Sequence, residues 1–164
     1  MTLAAVSRDL TQYVTIGIGH EIFAIDVTSV REILDMQPIA RLPNAPLFLV
    51  GMTDVRGQGV PTVDLRVKLG LPTVPITQDT RILVLDIEIE GRPLTLGIIA
   101  DRVIEVTSLD EHALEAPPQI GGRWRSSYIR AIGRSKGLFV IIFDLNQLFL
   151  NEETALLEHP EEAG

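Results

Sequence analysis

The chain has 164 residues, 46% hydrophobic and 22% charged, enough for one ordinary domain with a real core and too apolar for extended disorder. Fourteen Lys and Arg against 22 Asp and Glu leave a net charge of −8, which argues against general attraction to nucleic-acid backbones or anionic lipid. With no cysteine, disulfides and thiolate metal sites are excluded, in keeping with a reducing cytoplasm.

The opening "MTLAAVSRDLTQ" lacks the basic head and apolar core of a signal peptide, and no uncharged apolar run of about 18 residues follows, so a soluble protein with a flexible segment 1–11 is expected. Tyr13 to Ile18 and Ile22 to Val27 are β-rich runs joined by a Gly-His-Glu connection, a β-hairpin. "TSVREIL" reads as a helical turn or an irregular strand, and "MQPIARLPNAP" as a proline-rich loop. "LFLVGMTDVRG" is a buried strand and "GVPTVDL" its hairpin partner, with Gly57 and Gly59 at the turn. Pro61, which has no N–H for a ladder, implies an edge or a bulge, and Asp64 caps a short helix ending at Gly70. "RILVLDIEIE" and "RPLTLGIIADRVIEV" are two strands turned at Glu90-Gly91. "SLDEHALEAPPQIGGRWRSS" is irregular, and "YIRAIGRSKGLFVIIFDL" is a hairpin with Ser135, Lys136 and Gly137 in its turn. "DLNQLFLNEETALLE" opens a C-terminal helix on Asp144 before an acidic tail, 159–164, that frays.

An internal repeat organises these elements. Val30, Glu32 and Ile33 match Val103, Glu105 and Val106 at an offset of 73 residues, and Gly57, Asp64 and Leu65 match Gly137, Asp144 and Leu145 at an offset of 80. The second copy therefore carries seven more residues, which "EAPPQIGGRW" accommodates. Small curled sheets of this size must close or pack to hide their edges, so the repeat implies two similar small β-barrels packed together.

Few residues offer chemistry. Asp64 and Asp144 could form an acid-base pair, but each precedes an apolar-periodic segment where a carboxylate caps free backbone N–H groups. His20, His112 and His159 lack the spacing of metal ligands, no G-x-S-x-G nucleophile exists, and the "GIG" and "GQG" fragments suit turns better than phosphate cradles. Trp124 between Arg123 and Arg125 is better read as a loop anchor than as a base-stacking platform. Arg56 stands out. Alternation places Asp54 and Arg56 on one face and Val55 on the other; if Val55 turns inward, Arg56 projects outward, where the guanidinium can meet a partner's carboxylate or carbonyl, or pair locally with Asp54 or Asp64.

Three blocks, "VREILDMQPIARLPNAPLFLVGMTDVRGQGVPTVDLRVKLGL", "LGIIADRVIEVTSL" and "YIRAIGRSKGLFVIIFDLNQLF", resemble the CheW family of bacterial chemotaxis coupling proteins, over one domain from about Tyr13 to Leu157. The resemblance implies a mainly β protein: two pseudo-repeated five-stranded SH3-like β-barrels, approximately 13–75 and 80–150, around a shared core, with short helices and a C-terminal helix. It implies no catalysis, cofactor or metal. The expected role is an adaptor holding chemoreceptor cytoplasmic tips and the CheA histidine kinase, through the kinase's similar regulatory domain, at membrane-associated arrays without membrane insertion.

Residue by residue, the family's N-L-R-G corresponds to Asp54, Val55, Arg56 and Gly57, its receptor-facing V-x-E-I to Val30, Glu32 and Ile33, and a further receptor-sensitive position to Gly51. Val30 and Ile33 would floor a groove rimmed by Glu32 and Arg56. Asp54 replaces the family's Asn, so an amide donor becomes an acceptor-only carboxylate. Glu115 and Ile120 would face the kinase. The rival expectation is a barrel binding single-stranded nucleic acid, for which no basic, aromatic face can be assembled.

Overall fold

The structure, a computed structural model, describes residues 9–118 and 126–150. Ile120, Trp124, His159 and the extension of the C-terminal helix past Leu150 lie outside them. Ten strands follow in order: β1 Leu10–Ile18, β2 Glu21–Asp26, β3 Val30–Asp35, β4 Leu49–Val55, β5 Gln58–Asp64, β6 Arg81–Ile89, β7 Arg92–Ala100, β8 Arg102–Asp110, β9 Ile129–Ser135 and β10 Leu138–Phe143. Two four-residue helices, α1 Leu65–Lys68 and α2 Leu145–Leu148, are capped as expected: Asp64 accepts from Arg66 N and Asp144 from Gln147 N.

Local chemistry explains the turns. Arg56-Gly57, Glu90-Gly91 and Lys136-Gly137 each close a hairpin with both residues at positive φ, the two-residue geometry whose twist matches the flanking strands. Gly59 and Ser135, expected in turns, are strand residues paired with Asp54 and Leu138.

The strands form two five-stranded sheets, β8-β1-β2-β10-β9 and β3-β6-β7-β5-β4, each with one parallel join, β2 to β10 and β7 to β5. Their orders correspond position for position, as the repeat requires, but the sheets do not follow the halves 13–75 and 80–150. The first hairpin leaves its own copy and joins β8, β9 and β10, while β3, β4 and β5 take in β6 and β7. We call 30–100 the central barrel and 10–26 with 102–143 the composite barrel.

Three further expectations are corrected. "RPLTLGIIADRVIEV" is two strands, broken at Asp101, where the chain passes from one sheet to the other. Residues 9–11 are tied down, because Leu10 pairs with Asp110 and Glu111 N donates to Asp9 O. Pro61 lies in β5, which is flanked on both sides; it avoids a lost ladder bond by standing one residue before the Thr62–Asp64 segment that pairs with β7.

The facing sides of the two sheets share one large core, in which Val14, Ile16 and Ile25 meet Leu83, Leu85 and Ile98, and Phe23 stacks on Phe143 at 4.7 Å. Each barrel keeps a smaller interior of its own, Val55, Val60 and Val84 in the central one, Tyr13, Ala24, Val140 and Ile142 in the composite one. No helix among the described residues is long and apolar enough to cross a membrane.

Candidate functional site

The central barrel closes where its edge strands β3 and β4 approach. In β3, Val30 opposes Leu85 and Glu32 opposes the adjacent Val84, so Arg31 is an extra, bulged residue. That extra residue decides which side chains share a face. Val30 and Ile33 fall with Leu83 and Leu85 on the shared-core side, and Glu32 and Leu34 fall with Val84 on the barrel side. Val30 is half-buried against the core, whereas Ile33 is 42% exposed and continues that apolar face into solvent.

Arg56 stands in the β4–β5 turn with φ 53, a left-handed conformation that costs a non-glycine residue about 1 kcal/mol or more. Its guanidinium crosses the seam to Glu32 (Nε to Oε2 3.3 Å), with Arg56 82% and Glu32 19% exposed in the side chain. The partner is neither Asp54 nor Asp64, the two the sequence offered. Asp54 is used locally: Oδ1 accepts from Gly57 N at 2.9 Å, and its carbonyl accepts from Gln37 Nε2 at 3.1 Å. Behind this pair, Arg31 grips Asp86 with two 2.8 Å bonds, and Thr95 donates to the same carboxylate. The Arg31 guanidinium, opposed by partial burial, holds the Asp86 carboxyl below the usual range.

The structure thus brings Glu32, Asp54 and Arg56 to one seam, while Val30 and Ile33 lie on the opposite face of β3, so they do not floor a groove rimmed by Glu32 and Arg56 as expected; the bulge at Arg31 sets the two faces. Gly51 stands apart at the start of β4, buried, where a Cβ would meet the Ala40 carbonyl oxygen at 2.0 Å; its place is internal packing. Glu115 belongs to the composite barrel, exposed, with its backbone bridged both ways to Ile132 at 2.8 Å.

Two features escaped sequence reasoning. Arg31 and its bulge leave no local signature. The other was within reach: Lys136 precedes Gly137 as Arg56 precedes Gly57, and Lys136 pairs with Glu105, the repeat's match for Glu32, at 3.1 Å. Each barrel seam is bridged by equivalent charges. Around the second bridge, apolar Ile104 and Leu138 take the places of Arg31 and Gln58 and are 40% and 56% exposed.

The composite barrel's far end is polar and closed. Tyr13 donates to Glu111 Oε2 at 2.7 Å and accepts from Arg130; burial, and then the Glu111 hydrogen bond, push its pKa to about 12, so it remains a neutral donor. Among the described residues no group of three or more His, Asp or Glu side chains is placed to hold a metal.

A family model described as a CheW-like domain matches residues 12–153. The chemotaxis protein CheW of Klebsiella aerogenes is 30% identical over 148 residues, covering 90% of this chain and 87% of its own, and that of Bacillus subtilis is 30% identical over 141 residues, covering 86% and 87%. The crystal structure of the scaffolding protein TtCheW from Thermoanaerobacter tengcongensis superposes with a TM-score of 0.76 at 27% identity, covering 87% of this chain and 94% of that one.

Proposed function

Since the chain belongs to the CheW-like domain family, we propose that it is a non-catalytic adaptor coupling chemoreceptor cytoplasmic tips to a CheA-type histidine kinase at the cytoplasmic side of membrane-associated arrays. The observation that carries this reading is one exposed barrel edge that presents the Arg56–Glu32 bridge on one face of β3 and exposed Ile33 on the other, so that a helix docking along the edge meets both a charge and an apolar side chain. Glu32, Ile33, Asp54 and Arg56, with half-buried Val30, form the receptor-facing edge, and Gly51, packed on the Ala40 backbone, stands outside it. Glu115, with Ile120, belongs to a kinase-facing surface on the composite barrel. A net charge of −8 gives a nucleic-acid strand no comparable invitation.

Arg56→Glu is the test. It sets a carboxylate against Glu32 and should weaken binding of a purified receptor-tip fragment roughly tenfold or more, with circular dichroism, melting temperature and kinase binding unchanged. Arg56→Gly should lose the same contact while melting no lower, because glycine accepts φ 53 without strain. If both variants bind the fragment as the parent does, the surface is misassigned.

Asp54→Asn separates two roles. The amide oxygen can still accept from Gly57 N, so stability should hold within about 0.5 kcal/mol. Receptor affinity should change with the donor that is gained, measured across fragments from different receptors. A fall in melting temperature with unchanged affinities would make Asp54 a turn residue only.

A further inference from the structure

β3, β4 and the turn that follows β4 carry five charged side chains: Arg31, Glu32, Asp35, Asp54 and Arg56. Four of them stand beside an opposite charge, Arg31 with Asp86 at 2.8 Å, Glu32 with Arg56 at 3.3 Å and Asp35 with Arg81 at 3.4 Å. Asp54 is the fifth. Among the described residues no cation pairs with it, although it is exposed at the same edge.

The carboxylate is nevertheless held in place. Val55 turns into the central barrel with Val60 and Val84, so Asp54 lies on the barrel's outside, as Ile33 does next to inward-packed Leu34. Oδ1 accepts from Gly57 N at 2.9 Å and the Asp54 carbonyl from Gln37 Nε2 at 3.1 Å, while the second carboxylate oxygen accepts no bond among the described residues. Across the ladder Asp54 faces Gly59, which has no side chain to cover it.

The hairpin does not require an acid at this position. In the composite barrel the matching turn, Lys136-Gly137, also has both residues at positive φ, and there the place of Asp54 is taken by Arg134, opposite Phe139 and lying over its ring at 4.4 Å. The same backbone thus closes with the opposite charge, so the turn alone does not account for Asp54.

We infer that this edge selects receptor tips whose docking helix sets a lysine or arginine against Asp54, beside the apolar side chains that cover Ile33. A tip that covers Asp54 with an apolar or acidic side chain strands a fixed charge, whereas a cation pairs with it, so the term discriminates among partners more than it adds affinity. This selection rests on the receptor-coupling reading of the edge and names the chemistry of the partner there.

Calorimetric titration of the full chain with purified receptor-tip fragments from the same cell tests it, each exposed Lys and Arg of the tip being changed in turn to Gln. One of these changes should weaken binding to the wild-type chain about tenfold. Against Asp54→Asn, which keeps the acceptor for Gly57 N, that fragment and its parent should bind alike, and raised salt should weaken the wild-type complex more than the variant's. Changing the same tip residue to Glu together with Asp54→Lys should restore most of the affinity that either change removes alone. If the parent fragment binds and every Lys or Arg change adds independently to Asp54→Asn, then Asp54 selects no cation, while the adaptor role is untouched. A chain that binds no tip fragment is not a receptor adaptor, and Asp54 then has no helix to select. Should Asp54→Lys misfold by circular dichroism, the comparison with Asp54→Asn still decides.

Discussion

Gly51→Ala should lower stability by about 3 kcal/mol or more and release the 36–48 loop, although the substitution adds one methyl group. Its Cβ would lie 2.0 Å from the Ala40 oxygen, 2.8 Å from the Ala40 carbonyl carbon and 3.0 Å from Arg41 Cα. All three are backbone atoms, so relief requires moving the chain. The contact is close because Ala40 N donates to Met52 O at 2.9 Å and Met52 N to Ala40 O at 2.7 Å, clamping the loop to β4. Forcing the strands apart gives up both bonds, at about 1 kcal/mol each, and loosens Leu42, Ala45 and Phe48, which pack on the shared core. In a chain of this size the melting temperature should fall by roughly 6–12 °C. Gly57→Ala is the control: nothing lies within 4 Å of its Cβ and only φ 84 is strained, so about 1 kcal/mol is expected. Equal melting of the two variants would mean that the Gly51–Ala40 approach is not what holds the loop.

The contrast between these glycines marks what could be read in the sequence. Asp64 and Asp144 were legible as caps because a cap is satisfied within three residues of itself. The X-Gly turns were legible for the same reason. Gly51 was not, since its requirement comes from Ala40, eleven residues back across a loop.

The same distinction runs through the fold. The repeat reported two matching units, and the sheets do match strand for strand. It could not report that the units exchange hairpins, because matching copies offer matching edges and nothing local says which edge a hairpin will take. The break at Asp101 was hidden too, since apolar residues continue on both sides of it. Arg56 shows the limit for the site: alternation set it opposite Val55 without saying which of the two turns inward, its neighbours in sequence suggested Asp54 or Asp64, and the fold buried Val55 and supplied Glu32 across the seam.

Asp101 joins the exchanged parts, and replacing it should be costly. Its carboxylate takes two bonds from Arg66, 2.6 and 3.0 Å, and one from Gly19 N at 2.7 Å, so α1 of the central barrel and the β1–β2 turn of the composite barrel meet on one residue. Side-chain exposures of 13% for Arg66 and 22% for Asp101 leave little water to replace either partner. Asp101→Ala strands the guanidinium and the Gly19 N–H, and about 3 kcal/mol should be lost in denaturant titration. Much of that is the stranded charge, so the double variant Asp101→Ala, Arg66→Met should be more stable than Asp101→Ala alone. The pH dependence has a definite sign. Hydrogen bonding from Arg66, opposed by burial, holds the folded carboxyl below its ordinary value, about 3.9 in the unfolded chain. Its contribution is therefore present above that pH and drains away as pH falls through the folded value. Wild-type stability should drop below about pH 4, more steeply than that of Asp101→Asn, which has no proton to bind there. Parallel curves for the two proteins on acidification would show that Asp101 does not hold the barrels together by charge.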